Sequence, residues 1–186
     1  MGGRRYRAGI EARQGMGQGG MHKPRPVRGY FAIGVEGISK PMNLGNLMRS
    51  AHAFGASFIF TVDAHYSVRK SRSDTSKSVY HLPYYPWDSV DDMQMPRDCR
   101  LVGVELTDDA VELPSFRHPS RAAYVLGRER GSLSGEMLAR CEFVVRIPTA
   151  FCINVATAGA IVMYDRVRAL GGFPDRPVRA GGPKPE

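Results

Sequence analysis

The sequence predicts an α/β domain, a mostly parallel sheet with helices on both faces. Two observations carry this. Short apolar runs that suit buried strands alternate along the chain with stretches of helical period. The chain's 186 residues, 42% of them hydrophobic, suffice for one sizeable core and exclude a wholly disordered protein.

The elements follow in order. Residues 1–28 are rich in Gly, Arg and Gln without a hydrophobic period, and are predicted to be a disordered basic tail. YFAIGVE (30–36) suits a buried strand. After a loop in which Pro41 disfavours helix at the preceding residue, Asn43 is the predicted N-cap of a helix. Its apolar positions, Leu44, Leu47, Met48, Ala51 and Phe54, recur at helical spacing, and Gly55 is its predicted stop. SFIFTVD (57–63) is the next strand. Residues 65–83 read as a long polar loop carrying Arg69, Lys70, Arg72 and Lys77. A short helix is predicted at 88–93, then strands at 99–106 and 122–127. Ser134 caps a short helix over 134–140, and 142–148 is a further strand that Pro148 ends. Residues 153–170 form the longest predicted helix. The folded domain is thus expected over 29–170, with a second disordered tail at 171–186.

Net charge is +8, and six of those charges belong to residues 1–28, where seven Lys/Arg face the single acid Glu11. A basic tail favours a polyanion such as RNA through counterion release; a solvated leader is the alternative. A third reading has translation begin at Met16 or Met21. No apolar run is long enough to span a bilayer, no secretory signal opens the chain, and no membrane partner is expected. Cys99, Cys141 and Cys152 are an odd number without metal-type spacing, which points to a reduced cytoplasm and no metal site.

Three stretches hold residues suited to chemistry. In NLGNLMRSAHAFG (43–55), Asn43, Asn46 and Arg49 are spaced by three and are expected near one helix face. An arginine there can clamp a phosphate, while the asparagines hold a ribose or orient the arginine. In LGRERGSLSG (126–135), Gly127 and Gly131 let backbone approach a ligand such as adenine or ribose, and Glu129 can anchor an arginine or a hydroxyl. In IPTAFCINVATAGA (147–160), Asn154 opens a helix whose Ala156, Ala158, Gly159 and Ala160 form a small-residue surface, and Cys152 reads as a buried small residue. Singly, each stretch also reads as plain structure: a capped helix, a glycine turn, a tight helix–helix contact. The dinucleotide fingerprint G-x-G-x-x-G and the P-loop are absent, which disfavours a dinucleotide-dependent oxidoreductase.

Taken in order, the three stretches resemble the SPOUT methyltransferases, in particular the SpoU-type (TrmH-type) RNA ribose 2′-O-methyltransferases, from about Tyr30 to Leu170. The family's N-x-G-A-x-x-R-T-A-x-A-F-G stands as NLGNLMRSAHAFG, with Asn46 for alanine. Its L-G-x-E-x-x-G-L-S stands as LGRERGSLS. Its I-P-M and S-L-N-V-S-V-A stand as IPT and CINVATA, with Cys152 for serine and a shorter intervening loop.

The resemblance implies a C-terminal deep trefoil knot whose loops bind S-adenosylmethionine. By position these are Val104 and Glu105, then Leu126, Gly127 and Gly131, then Ile147, Pro148, Cys152, Asn154 and Ala156. It also implies a homodimer with the last helix in its interface. The expected reaction is methylation of a ribose 2′-hydroxyl in tRNA or rRNA, with tRNA favoured because no accessory RNA-binding domain is recognisable. Arg49 would hold the adjacent phosphate and stabilise the developing alkoxide, supported by Asn43, Glu129 and Asn154. Its very high pKa argues against a role as base. Arg69, Lys70, Arg72 and Lys77 would join Arg49 in contacting RNA. A catalytically silent RNA-binding protein on the same fold and a base-methylating SPOUT enzyme are the alternatives.

Overall fold

The computed structural model describes residues 25, 28–65, 67, 82–128, 131–177 and 180–182. Its strands are β1 (Tyr30–Glu36), β2 (Phe58–Val62), β3 (Tyr84–Trp87), β4 (Arg100–Val104), β5 (Val111–Glu112), β6 (Arg121–Leu126) and β7 (Phe143–Arg146). Its helices are α1 (Pro41–Phe54), α2 (Gly135–Arg140) and α3 (Val155–Ala169). The described strands form one parallel sheet in the order β3-β2-β1-β6-β4-β7-β5. The expected α/β architecture is therefore the observed one.

Each sheet face buries its own core. Phe31, Ile33 and Val35 point to one face and pack with Leu47 and Met48 of α1 and Val162 and Met163 of α3. Ala32 points to the other, where Phe60, Val125 and Met137 of α2 join it. This is the period-2 alternation of a strand covered on both sides. The small-residue surface of α3 serves close packing: a Cβ at Gly159 would lie 2.4 Å from Leu47 Cδ1.

Three local expectations are corrected. The N-cap of α1 is Lys40, with Pro41 in the first turn, so Asn43 is inside the helix and its side chain is not the cap. No helix forms at 88–93. Ser89 Oγ lies 2.6 Å from the Asp92 carboxylate and accepts from the Asp92 N–H, an alternative to helical hydrogen bonding. The carbonyls of Val90 and Met93 accept from the Arg140 guanidinium instead. β3 falls between the expected loop at 65–83 and the expected helix, in residues without a predicted element; its Pro86 is tolerated because β3 is at the sheet edge. Cys152 is exposed, not buried.

At the amino ends of β1 and β6 a buried polar cluster ties α3 to the sheet. Arg166, fully buried, donates to the carbonyls of Tyr30, Pro119 and Ser120 and to Tyr124 Oη. His118 bridges Tyr124 Oη (2.6 Å) and the Asp165 carboxylate (2.9 Å). Nearby, the Gly172 carbonyl accepts from the Arg25 N–H, and Phe173 packs on Tyr164.

Candidate active site

Strand register builds the site. Val35 pairs with Leu126, Leu126 with Val104, and Val104 with Val145. All strands being parallel, the chain segments that leave β1, β6, β4 and β7 emerge together at the carboxyl edge of the sheet, where α/β proteins bind ligands. They enclose a cavity of about 360 Å³, within the size range of cofactor sites. Lining it are Asn43, Val104, Glu105, Leu126, Gly127, Gly131, Ile147, Cys152 and Asn154, all expected from the sequence.

Two of these, 111 positions apart, touch. Asn154 caps α3, its Oδ1 accepting from the N–H groups of Ala156 (2.9 Å) and Thr157 (3.3 Å). That fixes the orientation of its amide, since only the oxygen can accept. The Nδ2 group therefore faces away from the helix and donates to Asn43 Oδ1 at 3.1 Å. The first and third motifs are joined by this hydrogen bond at the wall of the cavity.

The glycine turn after β6 is held from beneath by two carboxylates. Glu105 accepts from the Leu133 N–H (2.8 Å) and the Leu106 N–H (2.9 Å). Glu36, only 2% exposed, accepts from the Ser134 N–H at 2.8 Å, and Ser134 in turn caps α2. Burial, with the Glu36 charge adding to it, pushes the nearby Cys141 thiol up to about 12 and keeps it protonated. Gly127 is required by this packing: a Cβ there would stand 2.9 Å from Glu105 Oε2 and 3.1 Å from Leu133 N. Glu105 thus lines the cavity while its carboxylate braces the turn. Glu36 was invisible to motif reading, being the last residue of an apolar strand.

Other expected residues lie elsewhere. Pro148 is exposed and outside the lining. Ala156 is buried in the core and meets the site only through its N–H. Arg49 and Asn46 are exposed and do not line the cavity. Six residues of helix rotate a side chain to roughly 120° from its starting direction, so Asn43 and Arg49 do not share a face. Glu129, Arg69, Lys70, Arg72 and Lys77 lie outside the described residues. Lys40, Leu106, Arg128, Thr149, Ile153 and Val155 complete the lining without having been singled out from the sequence, together with Ala158, expected only as a packing residue. Their position within or beside the motifs was the one signal available.

A model of the SpoU rRNA Methylase family matches residues 30–164, a span that holds all three motifs and every strand of the sheet. The chain belongs to this family. It is 27% identical over 142 residues to the tRNA (guanosine(18)-2'-O)-methyltransferase TARBP1 of Mus musculus, covering 70% of this chain and 9% of that protein. It is 29% identical over 160 residues to the 23S rRNA (uridine(2479)-2'-O)-methyltransferase of Streptomyces viridochromogenes, covering 77% of this chain and 54% of that one. An AdoMet-bound rRNA methyltransferase from Sinorhizobium meliloti superposes with a TM-score of 0.65 at 25% identity, covering 78% of this chain and 59% of that one. This SpoU-family chain therefore spans a small fraction of the mouse relative and little more than half of the bacterial one. Among its described residues no helix is long and apolar enough to cross a membrane.

Proposed function

We propose that this SpoU-family chain is an S-adenosylmethionine-dependent RNA methyltransferase that methylates a ribose 2′-hydroxyl in tRNA or rRNA. The observation that carries it is the Asn43–Asn154 hydrogen bond, which brings the first and third motifs together on a cavity shared with the glycine turn. The names of the relatives, which act on tRNA and on rRNA, support the same reading.

The cavity's donor set fits the cofactor. Leu126, Ile147 and Val155 offer apolar walls for an adenine, and the backbone of the turns at Gly127 and Thr149 offers hydrogen-bonding groups to its edges. Thr149 Oγ1 donates to the Phe151 carbonyl at 2.9 Å, which folds the loop over 147–154 against the cavity. Bound there, S-adenosylmethionine would supply an electrophilic methyl group. The chain's own residues then have only to align the ribose and stabilise negative charge on its oxygen. Asn43 and Asn154 are positioned for the first task. The second is assigned to Arg49 by its motif; exposed on α1 and outside the lining, it would reach the ribose from the RNA side. Glu129 is assigned to the same site by its motif.

We assign a homodimer and a cytoplasmic location to the same reading, with residues 29–170 as the methyltransferase domain and its C-terminal part threaded as a trefoil knot. Exposed Met42 on α1, Tyr164 on α3, and Phe151 (84% exposed) supply apolar surface for a second copy. Sedimentation showing a monomer at micromolar concentration would remove the dimer.

The deciding experiment incubates the chain with S-adenosylmethionine and unmodified tRNA or rRNA, then digests the RNA and weighs the nucleosides. A 2′-O-methylated nucleoside is expected. A base-methylated product overturns the ribose assignment, and absence of any product from either RNA supports the silent RNA-binding alternative. Arg49→Ala should abolish transfer and leave cofactor affinity within about twofold, because Arg49 does not line the cavity.

A further inference from the structure

The cavity has two unlike flanks. Toward β4, β7 and α3 it is apolar, with Val104, Leu106, Ile147, Ile153 and Val155. Toward β1 it carries the two cations of the lining, Lys40 and Arg128; the one acid, Glu105, has both carboxylate oxygens occupied by backbone amides.

Arg128 is held in a built channel. It leaves the end of β6 and crosses to the end of β1, where a Cβ on Gly37 would lie 2.9 Å from Nε and 3.2 Å from Cζ. On its other side a Cβ on Gly131 would lie 3.2 Å from both Cγ and Cδ. Both glycines have positive φ, +63° and +143°. The missing side chains leave the lane that the arginine occupies. At its end the guanidinium faces the Asp63 carboxylate at 3.9 Å, beyond hydrogen-bond length, with both side chains largely in water (43% and 63% exposed). A pair of that geometry holds weakly and can be exchanged for a stronger anion.

We infer that Arg128, with Lys40 beside it, forms a phosphate subsite that takes a backbone phosphate of the substrate RNA next to the methylated ribose, Asp63 occupying the guanidinium until RNA arrives. This rests on the reading of the chain as an RNA methyltransferase. A planar guanidinium suits a phosphate through two parallel hydrogen bonds. The cationic flank also suits an anion better than it suits the sulfonium charge of the cofactor, which the apolar flank accommodates without repulsion.

The test measures binding of unmodified tRNA and rRNA transcripts to the full chain over a salt series, so it does not depend on turnover. Arg128→Ala should weaken RNA binding by about tenfold and lower the slope of log affinity against log salt by about one. Arg128→Lys should keep the slope and recover part of the affinity. Asp63→Asn, which keeps a residue tolerant of the positive φ of 48° found there, should tighten RNA binding about threefold. That gain should vanish when Arg128→Ala is also present. S-adenosylmethionine affinity should stay within twofold in Asp63→Asn, since Asp63 does not line the cavity, and should fall less than RNA affinity in the Arg128 variants.

Unchanged RNA binding in Arg128→Ala overturns the subsite. So does a loss confined to cofactor affinity, which would give the guanidinium to the cofactor's carboxylate. An Asp63→Asn gain that persists without Arg128 would mean general electrostatics, and also overturns it. Should Arg128→Ala fail to fold, Arg128→Lys and Asp63→Asn carry the same decision. A wild-type chain that binds RNA but never methylates it would sink the methyltransferase reading and leave the subsite standing; one that binds no RNA sinks both.

Discussion

The two ends of the sheet each carry a polar cluster, and the clusters are built in opposite ways. At the amino end, Arg166 is sealed from solvent and spends four hydrogen bonds on protein acceptors. Its guanidinium also lies over the rings of Phe31 (5.3 Å) and Tyr124 (5.9 Å). The hydrogen bonds there have one consistent direction. A carboxylate can only accept, so His118 Nε2 donates to Asp165; the neutral ring's Nδ1 then accepts from Tyr124 Oη, which itself accepts from Arg166. At the carboxyl end the polar groups instead border a cavity, and the carboxylates of Glu36 and Glu105 hold backbone in place around it. The contrast separates two uses of buried polarity. A cluster whose bonds are all internal holds elements together, whereas one that braces a turn leaves the surfaces beyond the turn for a ligand.

Mutations should divide along the same line. The largest effect is expected from Arg166→Met, which strips three carbonyls and Tyr124 Oη of their donor. It should cost about 3–5 kcal/mol in urea unfolding and leave cofactor affinity intact where the variant is folded. A loss below about 1 kcal/mol would erase the distinction between the two ends.

Next is Asn154→Ala at the open end. Losing the cap of α3 should cost about 1 kcal/mol of stability, while losing the bond to Asn43 should slow methyl transfer about 10²-fold. Asn154→Ser keeps a capping oxygen yet is too short to reach Asn43. It should recover stability but not rate; recovery of both would assign Asn154 to the helix alone.

Gly127→Ala is expected to act through the turn. The new methyl would displace the Glu105 carboxylate or the Leu133 amide, at a cost of about 1–3 kcal/mol shared between folding and the cofactor site. S-adenosylmethionine titration should show about tenfold weaker binding. An unchanged affinity would mean that the turn's exact path is irrelevant to the ligand.

The smallest effect sharpens the closed end. Burial holds the His118 imidazole below its ordinary value of 6.5, outweighing the Asp165 carboxylate that pulls the other way. Since the unfolded chain takes up this proton more readily, the His118 contribution to stability is present above pH ~6.5 and is lost as pH falls below it. His118→Gln should flatten the pH dependence of the unfolding midpoint in that acidic window. An unaltered slope would count against a neutral imidazole in the native state. Burial likewise pushes the Tyr124 phenol up to about 12, so it stays a donor throughout.

Much of this molecule can be read from local pattern. The apolar runs at 30–36, 57–63, 99–106, 122–127 and 142–148 all became strands, and the helices near 134–140 and 153–170 formed where their period placed them. Those features depend on residues within one or two turns of each other, so composition and spacing suffice. Where pattern misled, the cause was sometimes local, as with Pro41 at the start of α1, and sometimes a partner distant in sequence. Residues 88–93 lose their helix to the bonds between Ser89 and Asp92 and to an arginine fifty positions away that takes the Val90 carbonyl. The motifs named the residues of the site in the same local way, but not which of them meet. Strand order put β6 between β1 and β4, and that insertion set Leu126 beside Val35 and Val104. From it follow the contact between Asn43 and Asn154, the carboxylate braces under the glycine turn, and the lane in which Arg128 lies. Helical rotation then turned Arg49 away from the cavity that Asn43 borders. That rotation follows from the six-residue spacing alone; the others are written in no period or spacing, because each arises from the register of strands far apart in the chain and the packing of helices against them.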